Sequence, residues 1–136
     1  MATITPISAE NAAPFTLNGV PVHGSQAVLV DCGTHRLLYT SGQVAPAGPD
    51  GRGDIETQVR QVLDRVRGLV EAAGGQLTDV AKLMAWAPRR EDVAVYASVR
   101  KEYFSHAPAS TTVISELVEP DILIEVEAIA VISPAR

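Results

Sequence analysis

The sequence predicts an α+β protein in which two amphipathic helices cover one face of a mixed sheet of five to six strands. Three observations predict this class: short β-branched or apolar runs recur along the chain, two longer segments have helical periodicity, and the last quarter alternates as a strand that is apolar on both faces. The 136 residues, 46% of them hydrophobic, suffice for one compact core. We therefore expect a single two-layer domain over residues 1–136.

Composition excludes several classes of protein. The net charge of −5 argues against a nucleic-acid partner, which usually needs a basic surface. The single cysteine, Cys32, rules out an internal disulfide and suits a reducing compartment. The first residues lack the charged and apolar regions of a signal peptide, and no apolar run approaches the roughly 20 residues that span a bilayer. We expect a soluble cytoplasmic protein with no membrane partner.

The first third of the chain predicts strands joined by turns. Residues 1–16 contain two prolines and predict an irregular arm or an edge strand. The Asn-Gly pair at 18–19 is typical of a hairpin turn. Apolar runs at 27–31 and 37–41 flank a turn and predict a second hairpin. The segment 42–53, rich in glycine and proline, predicts a loop.

Two helices and a strand follow. The segment 54–73 has apolar residues at helical spacing, namely Ile55, Val59, Val62, Leu63, Val66, Val70 and Ala73. Asp54 is placed to cap its start, and the glycine pair at 74–75 can end it with a left-handed residue. A strand at 80–87 precedes a second helix at 91–104, which carries an apolar stripe.

The last quarter predicts two strands around a turn. Residues 111–118 are rich in β-branched side chains, 119–121 have turn composition, and 122–132 alternate strictly. One face of the last strand is wholly apolar, and the other carries Glu125 and Glu127, roughly 6.5–7 Å apart. A strand that is apolar on both faces is normally covered on both, which would put these carboxylates in a partly dry place. The alternative is that the second face is an ordinary exposed edge.

Two helices can cover only one face of the predicted sheet. The other face carries Leu123, Ile129 and Val131, and no further element of the chain remains to cover them. Oligomerisation is the simplest way to remove such an apolar surface from water.

Common catalytic motifs are absent from the sequence. The histidines His23, His35 and His106 show no metal-ligand spacing, and no phosphate-binding glycine loop is present. We therefore predict no metal site. Glu125 and Glu127 do not favour a glycosidase, because such acids usually face each other from different elements.

Four segments together resemble the Rid family of reactive-intermediate deaminases, also called YjgF-type or L-PSP endoribonuclease-like proteins. They are residues 39–43 (YTSGQ), the helix 58–73, residues 108–113 (PASTTV) and residues 125–130 (EVEAIA). The resemblance covers nearly the whole chain, from about Ser25 onward. It implies a chorismate-mutase-like fold and a homotrimer whose sheets form a central barrel, with small-molecule sites in clefts between subunits. It also implies hydrolysis of small imines and enamines to ketoacids and ammonia without a metal or organic cofactor.

The sequence departs from this family at several positions implied to touch substrate. Ser110 stands where the archetypal members have an arginine that grips the substrate carboxylate. Gly24 aligns with a family tyrosine, and Ala97 aligns with a family asparagine. Trp86 falls where the family usually has a smaller aromatic residue near the cleft. A serine hydroxyl cannot replace the charge and the fork of donors of a guanidinium.

The retained positions indicate what chemistry remains. Glu125 is the predicted catalytic acid, because a carboxyl in an apolar cleft can have a raised pKa and move protons. Ser41, Gly42 and the backbone at Thr111 are predicted to hold substrate or water. An alternative role for Glu125 is a structural ion pair between subunits.

Three functions stay open at this point. A divergent deaminase would act on an imine or enamine that is not anchored by the usual arginine. A ligand-binding trimer without catalysis, or a pathway-specific tailoring enzyme, is the alternative. Ribonuclease activity is least favoured because the chain is acidic.

Overall fold

One six-stranded sheet carries two helices. The computed structural model describes residues 2–11, 16, 17 and 19–134. In chain order the elements are β1 (Thr3–Ile7), β2 (Thr16–Leu17), β3 (Val20–Pro21), β4 (Ala27–Asp31), β5 (Arg36–Thr40), α1 (Ile55–Ala72), β6 (Val80–Ala87), α2 (Val93–Tyr103), β7 (Ala109–Ile114) and β8 (Glu125–Ile132). Short 3-10 turns, Leu77–Asp79 and Arg90–Asp92, precede β6 and α2. The predicted α+β class is confirmed.

Strand β8 lies inside the sheet, whose order is β1-β4-β5-β8-β6-β7. It pairs antiparallel with both β5 and β6, and β7 is added in parallel to β6 at one edge. The predicted β4–β5 hairpin is confirmed, and residues 3–7 form the predicted edge strand. The last strand is therefore not an edge strand, and Glu125 and Glu127 on its second face are half-buried.

The small β2–β3 pair supports the predicted hairpin near position 19. Gly19 adopts φ +78°, the left-handed region that a tight turn of this kind needs. Asn18, the other half of the predicted turn, lies outside the described residues, as do residues 12–15 of the predicted arm.

Helix α1 matches its predicted limits. The Asp54 carboxylate accepts a hydrogen bond from the backbone N–H of Thr57 at 2.9 Å, which caps the first turn. Gly74 has φ +86° and ends the helix as predicted. Its apolar stripe is buried except for Ile55, which is partly buried, and it joins α2 residues and sheet residues in one core.

Helix α2 starts two residues later than predicted, because Arg90–Asp92 form a 3-10 turn instead. Its stripe packs Tyr96 and Phe104 into the core. The Arg100 guanidinium lies 5.0 Å from the centre of the Tyr96 ring, a cation–π contact.

The two last strands are shorter than predicted. Strand β7 ends at Ile114, because its neighbour β6 ends at Ala87. The N–H of the next residue, Ser115, makes the last bond to this neighbour, at the carbonyl of Ala87. Strand β8 begins at Glu125 rather than residue 122, because the N–H of Leu123 bonds a side chain of α1 instead of a strand. The predicted turn at 119–121 is confirmed.

The sheet face away from the helices, here called the open face, is largely apolar. Strand β8 turns Val126, Ala128, Ala130 and Ile132 to the helices, where all are buried, as is Ile124 just before the strand. On the open face Val131 is 45% exposed, Tyr39 41% and Ile4 69%. Among the residues that the structure describes, apolar side chains thus remain exposed on this face, as predicted.

Candidate active site

Glu125 lies on the open face, at the start of the central strand β8. Its immediate neighbour is Gly42, in the loop after β5. A Cβ atom added to Gly42 would stand 2.5 Å from Oε2 of Glu125 and 2.8 Å from its carboxyl carbon. Only a glycine therefore lets the loop backbone pack against this carboxyl group.

Burial raises the pKa of Glu125, and the negative charge of Glu127, two residues along the strand, raises it further. Both causes disfavour the charged form. The carboxyl group can thus keep or regain a proton closer to neutral pH than an exposed glutamate, as a group that transfers protons requires.

Backbone bonds fix the loop that carries Gly42. Gln43 and Val126 exchange two hydrogen bonds, Gln43 N–H to Val126 O at 2.8 Å and Val126 N–H to Gln43 O at 3.1 Å. The Ser41 N–H bonds Gln26 O at 2.8 Å, and the Ser41 hydroxyl donates to Ser25 O at 2.6 Å. The hydroxyl oxygen of Ser41 is therefore left as an acceptor beside Gly42.

Trp86 forms the other side of Glu125. The two residues are directly opposite on β6 and β8, and Trp86 is half-buried. Val113 pairs with Trp86 on its other side, and Met84 lies opposite Glu127. The surface next to the carboxyl is thus apolar and partly aromatic.

Thr111 shares the open face with Glu125, but one strand lies between them. It pairs with Met84, and its hydroxyl is 3.5 Å from Nζ of Lys82. Ser110 pairs with Leu83, which is buried beneath the helices, so its side chain lies on the helix side of the sheet.

Within one chain the structure does not bring Ser110, Gly24 or Ala97 beside Glu125. Gly24 is exposed, and a Cβ atom there would meet nothing within 4 Å. Ala97 is half-buried on α2, in the helix layer. Ser41, Gly42 and Trp86 are the predicted residues that do surround the acid.

Sequence reasoning missed Met84 and Val113 as wall residues. Their alternation with Trp86 and Thr111 was a usable signal, because residues two apart share a strand face. It also missed Arg52 and Gln58, two buried polar residues that bond the segments on either side of the site.

The described part of the chain shows neither a metal cluster nor a membrane-spanning helix. Among residues 2–11, 16, 17 and 19–134, no group of three or more His, Cys, Asp or Glu side chains is arranged to hold a metal ion. Neither helix in this part of the chain is long and apolar enough to cross a membrane.

The fold, together with a glutamate carboxyl packed against the Gly42 backbone, defines a known class of protein. Residues 23–132 match the family described as endoribonuclease L-PSP. The chain belongs to this family, the Rid family that the sequence segments resemble.

Individual relatives support this assignment. The chain is 35% identical over 120 residues to a RutC family protein of Pyrococcus horikoshii, covering 85% of this chain and 94% of the relative. It is 34% identical over 109 residues to the 2-iminobutanoate/2-iminopropanoate deaminase of Escherichia coli K12, covering 75% and 83% of the two chains.

Solved structures agree with the fold. The RidA structure of an Antarctic Psychrobacter has a TM-score of 0.76 and 29% identity, covering 94% of this chain and 99% of that one. A Pseudomonas aeruginosa protein of unknown function has a TM-score of 0.78 and 31% identity, covering 100% and 99%. The predicted YjgF-type architecture is confirmed.

Proposed function

We propose that this protein hydrolyses a small imine or enamine to a carbonyl compound and ammonia, with Glu125 transferring the protons. The observation that carries the proposal is a half-buried carboxyl with a raised pKa, packed against Gly42 and bordered by apolar side chains. The likeness to an Escherichia coli imine deaminase supports the reaction class. The proposed reaction is cytoplasmic and uses neither a metal nor an organic cofactor.

The chemistry needs one acid and one water. Protonated Glu125 gives its proton to the imine nitrogen while water adds to the carbon, and the resulting carboxylate takes a proton from the added oxygen. The same carboxyl then protonates the amine, the C–N bond breaks and ammonia leaves, while the hydroxyl returns its proton to the Glu125 carboxylate and becomes a carbonyl. Water supplies the oxygen, and no oxidant or reductant is needed.

The substrate that we propose is not an amino-acid-derived imine held by its carboxylate. Ser110 supplies no guanidinium, and a charge-assisted bidentate contact stabilises a bound carboxylate by roughly 1.5–3 kcal/mol. The wall formed by Trp86, Met84 and Val113 suits an uncharged, partly apolar imine.

We propose a homotrimer as the functional form. Exposed apolar side chains on the open face, Ile4, Tyr39, Val113 and Val131, support the burial of that face against further copies. In such an assembly the small-molecule site lies at the subunit interface. A neighbouring copy can then bring Ser110, Gly24 or Ala97 to a Glu125 that they do not reach within one chain.

The test is ammonia release from a neutral imine generated in situ by an amine oxidase, measured above the spontaneous rate. Glu125→Gln should abolish the accelerated rate while the oligomer persists. Glu127→Gln, which removes the neighbouring charge, should retain turnover with a pH profile shifted to lower pH. Turnover by Glu125→Gln at the wild-type rate would overturn the proposal.

The second candidate is a ligand-binding protein without catalysis. It is favoured by Ser110, which stands where the archetypal members have an arginine and supplies no cation to anchor a substrate. It predicts that a neutral imine analogue raises the melting temperature while no product forms. The acidic chain disfavours ribonuclease activity despite the family's descriptive name.

A further inference from the structure

Two buried polar side chains outside the site join the two segments that meet at Glu125. Arg52 is 8% exposed and Gln58 is 1% exposed. One segment is the loop 42–53, which begins with Gly42. The other is residues 119–124, which lead directly into Glu125. We call Arg52 and Gln58 together the clasp.

Arg52 spans both segments with one guanidinium group. Its Nη1 donates to the carbonyl of Ala45 in the loop, its Nε donates to Oδ1 of Asp121 at 2.9 Å, and its Nη2 donates to Oε2 of Glu119. Burial by itself lowers the pKa of Arg52, but the hydrogen bonds that Arg52 donates to Asp121 and Glu119, together with the negative charges of these two residues, outweigh burial and raise the pKa. The group therefore stays charged, and three differently directed bonds use its planar fork.

Gln58, in the first turns of α1, completes the connection. Its Nε2 donates to Gly53 O at 2.9 Å and to Asp121 O at 3.0 Å. Its Oε1 accepts from Leu123 N–H at 2.9 Å. Two donors and one acceptor are thus matched to three backbone groups, an arrangement that neither a glutamate nor an apolar residue can supply.

The bonded positions are only a few residues from the site. Ala45 is three residues after Gly42, and Leu123 is two residues before Glu125, so little chain is available to absorb a displacement. The Gly42 backbone is already in contact with the Glu125 carboxyl. A displacement of either segment would therefore change how closely the Gly42 backbone covers the carboxyl.

We propose that Arg52 and Gln58 are positioning residues for Glu125: they set how closely the Gly42 loop covers its carboxyl, and therefore how much water reaches it. The expected effect of these residues on turnover rests on the proposed function of Glu125. Their expected effect on the surroundings of the Glu125 carboxyl does not depend on that function.

The test is an NMR titration of the carboxyl carbon of Glu125 in the full-length, ¹³C-labelled protein, with the signal assigned through Glu125→Gln. Arg52→Lys keeps the charge but loses the fork, and Gln58→Asn keeps the amide but shortens its reach. Both should let water in and lower the pKa of Glu125 by about half a unit or more.

The matched control is Arg36→Lys. Arg36 also bonds two backbone carbonyls, Ser133 O at 2.9 Å and Ala73 O at 3.2 Å, but it pairs with Ile132 at the other end of β8. The Arg36→Lys variant should lower the melting temperature as Arg52→Lys does, yet leave the pKa of Glu125 unchanged. This contrast separates positioning from general stabilisation.

The outcomes are distinguishable from failure of the proposed function. If the protein turns over imines, the alkaline limb of its pH–rate profile should move down with the pKa of Glu125 in Arg52→Lys and Gln58→Asn. If it does not, the titration alone still tests the clasp. An unchanged pKa in both clasp variants, or an equal fall in Arg36→Lys, would overturn the inference.

Discussion

Gly42 packs its backbone directly against the carboxyl group of Glu125, so closely that a methyl group at position 42 would stand 2.5 Å from Oε2. The contact joins a loop glycine to an acid on the central strand, far apart in sequence. It shields one side of the carboxyl from water and leaves the other side facing Trp86.

Replacing Gly42 with alanine should displace the Glu125 carboxyl without unfolding the protein. The added Cβ meets the end of a flexible side chain, which can swing away, so the fold survives while the acid leaves its position. We expect imine hydrolysis to fall about 10-fold to 100-fold. The double variant Gly42→Ala, Glu125→Asp has a shorter acid that leaves space for the added methyl group. It should therefore be more active than either single variant. Equal losses of activity in all three variants would contradict this geometry.

The stability of the protein should carry the signature of a carboxyl with a raised pKa. Folded Glu125 binds its proton more tightly than the unfolded chain does, so its contribution to stability falls as pH rises from the ordinary glutamate pKa through the raised one. Glu125→Gln removes this penalty. Its melting temperature should exceed that of the wild type at about pH 8, and the gap should shrink toward about pH 4.

Scanning calorimetry across this pH range measures the effect, with Glu71→Gln, an exposed acid on α1, as the control. A constant gap between the wild type and Glu125→Gln at all pH values would show that burial does not perturb this acid.

Ser110→Arg should improve hydrolysis of 2-imino acids and leave neutral imines unaffected. Ser110 lies on the edge strand β7, where a long side chain has room to reach a carboxylate at the rim of the sheet or in a neighbouring copy. A bidentate contact of roughly 1.5–3 kcal/mol predicts about a 10-fold to 100-fold gain in kcat/KM. Ser110→Lys, which has charge but no fork, should gain less, and equal rates for all three proteins would indicate that position 110 does not face substrate.

A charge placed on the open face should break the proposed trimer. Val131→Asp puts a carboxylate in an apolar surface that further copies would bury. Light scattering should show a trimer for the wild type and for Ala94→Asp, on the exposed side of α2, but a smaller species for Val131→Asp. A monomeric wild type would remove the subunit-interface site from the proposal.

Local patterns predicted the elements whose stability comes from their own sequence. Helix α1 has a capping aspartate, an apolar stripe and a terminal glycine, and the structure places its ends within a residue of those signals. Strand β6 also matches its predicted range. The glycine-rich loop after β5 is likewise found where composition indicated.

The rest depends on contacts that no local pattern reveals. Strand β8 starts late because the side chain of Gln58, far away in sequence, takes the N–H of Leu123. Ser110 lies on the helix side of the sheet because β7 pairs in parallel with β6 in a particular register. Alternation within β7 alone cannot show which side of the sheet Ser110 faces. Glu125 could be chosen from the sequence, but its contact with Gly42 required knowing how the loop folds back.

The two site-bearing strands differ in how firmly they are held. Strand β8, which carries the acid, is bonded on both sides, whereas β7, which carries Ser110 and Thr111, is bonded on one. Substitutions along β7 therefore disturb fewer backbone bonds and cost less free energy than substitutions beside Glu125. New ligand preferences can arise by mutation at the periphery while the proton-transfer group keeps its place, so this scaffold separates the evolution of selectivity from that of reactivity.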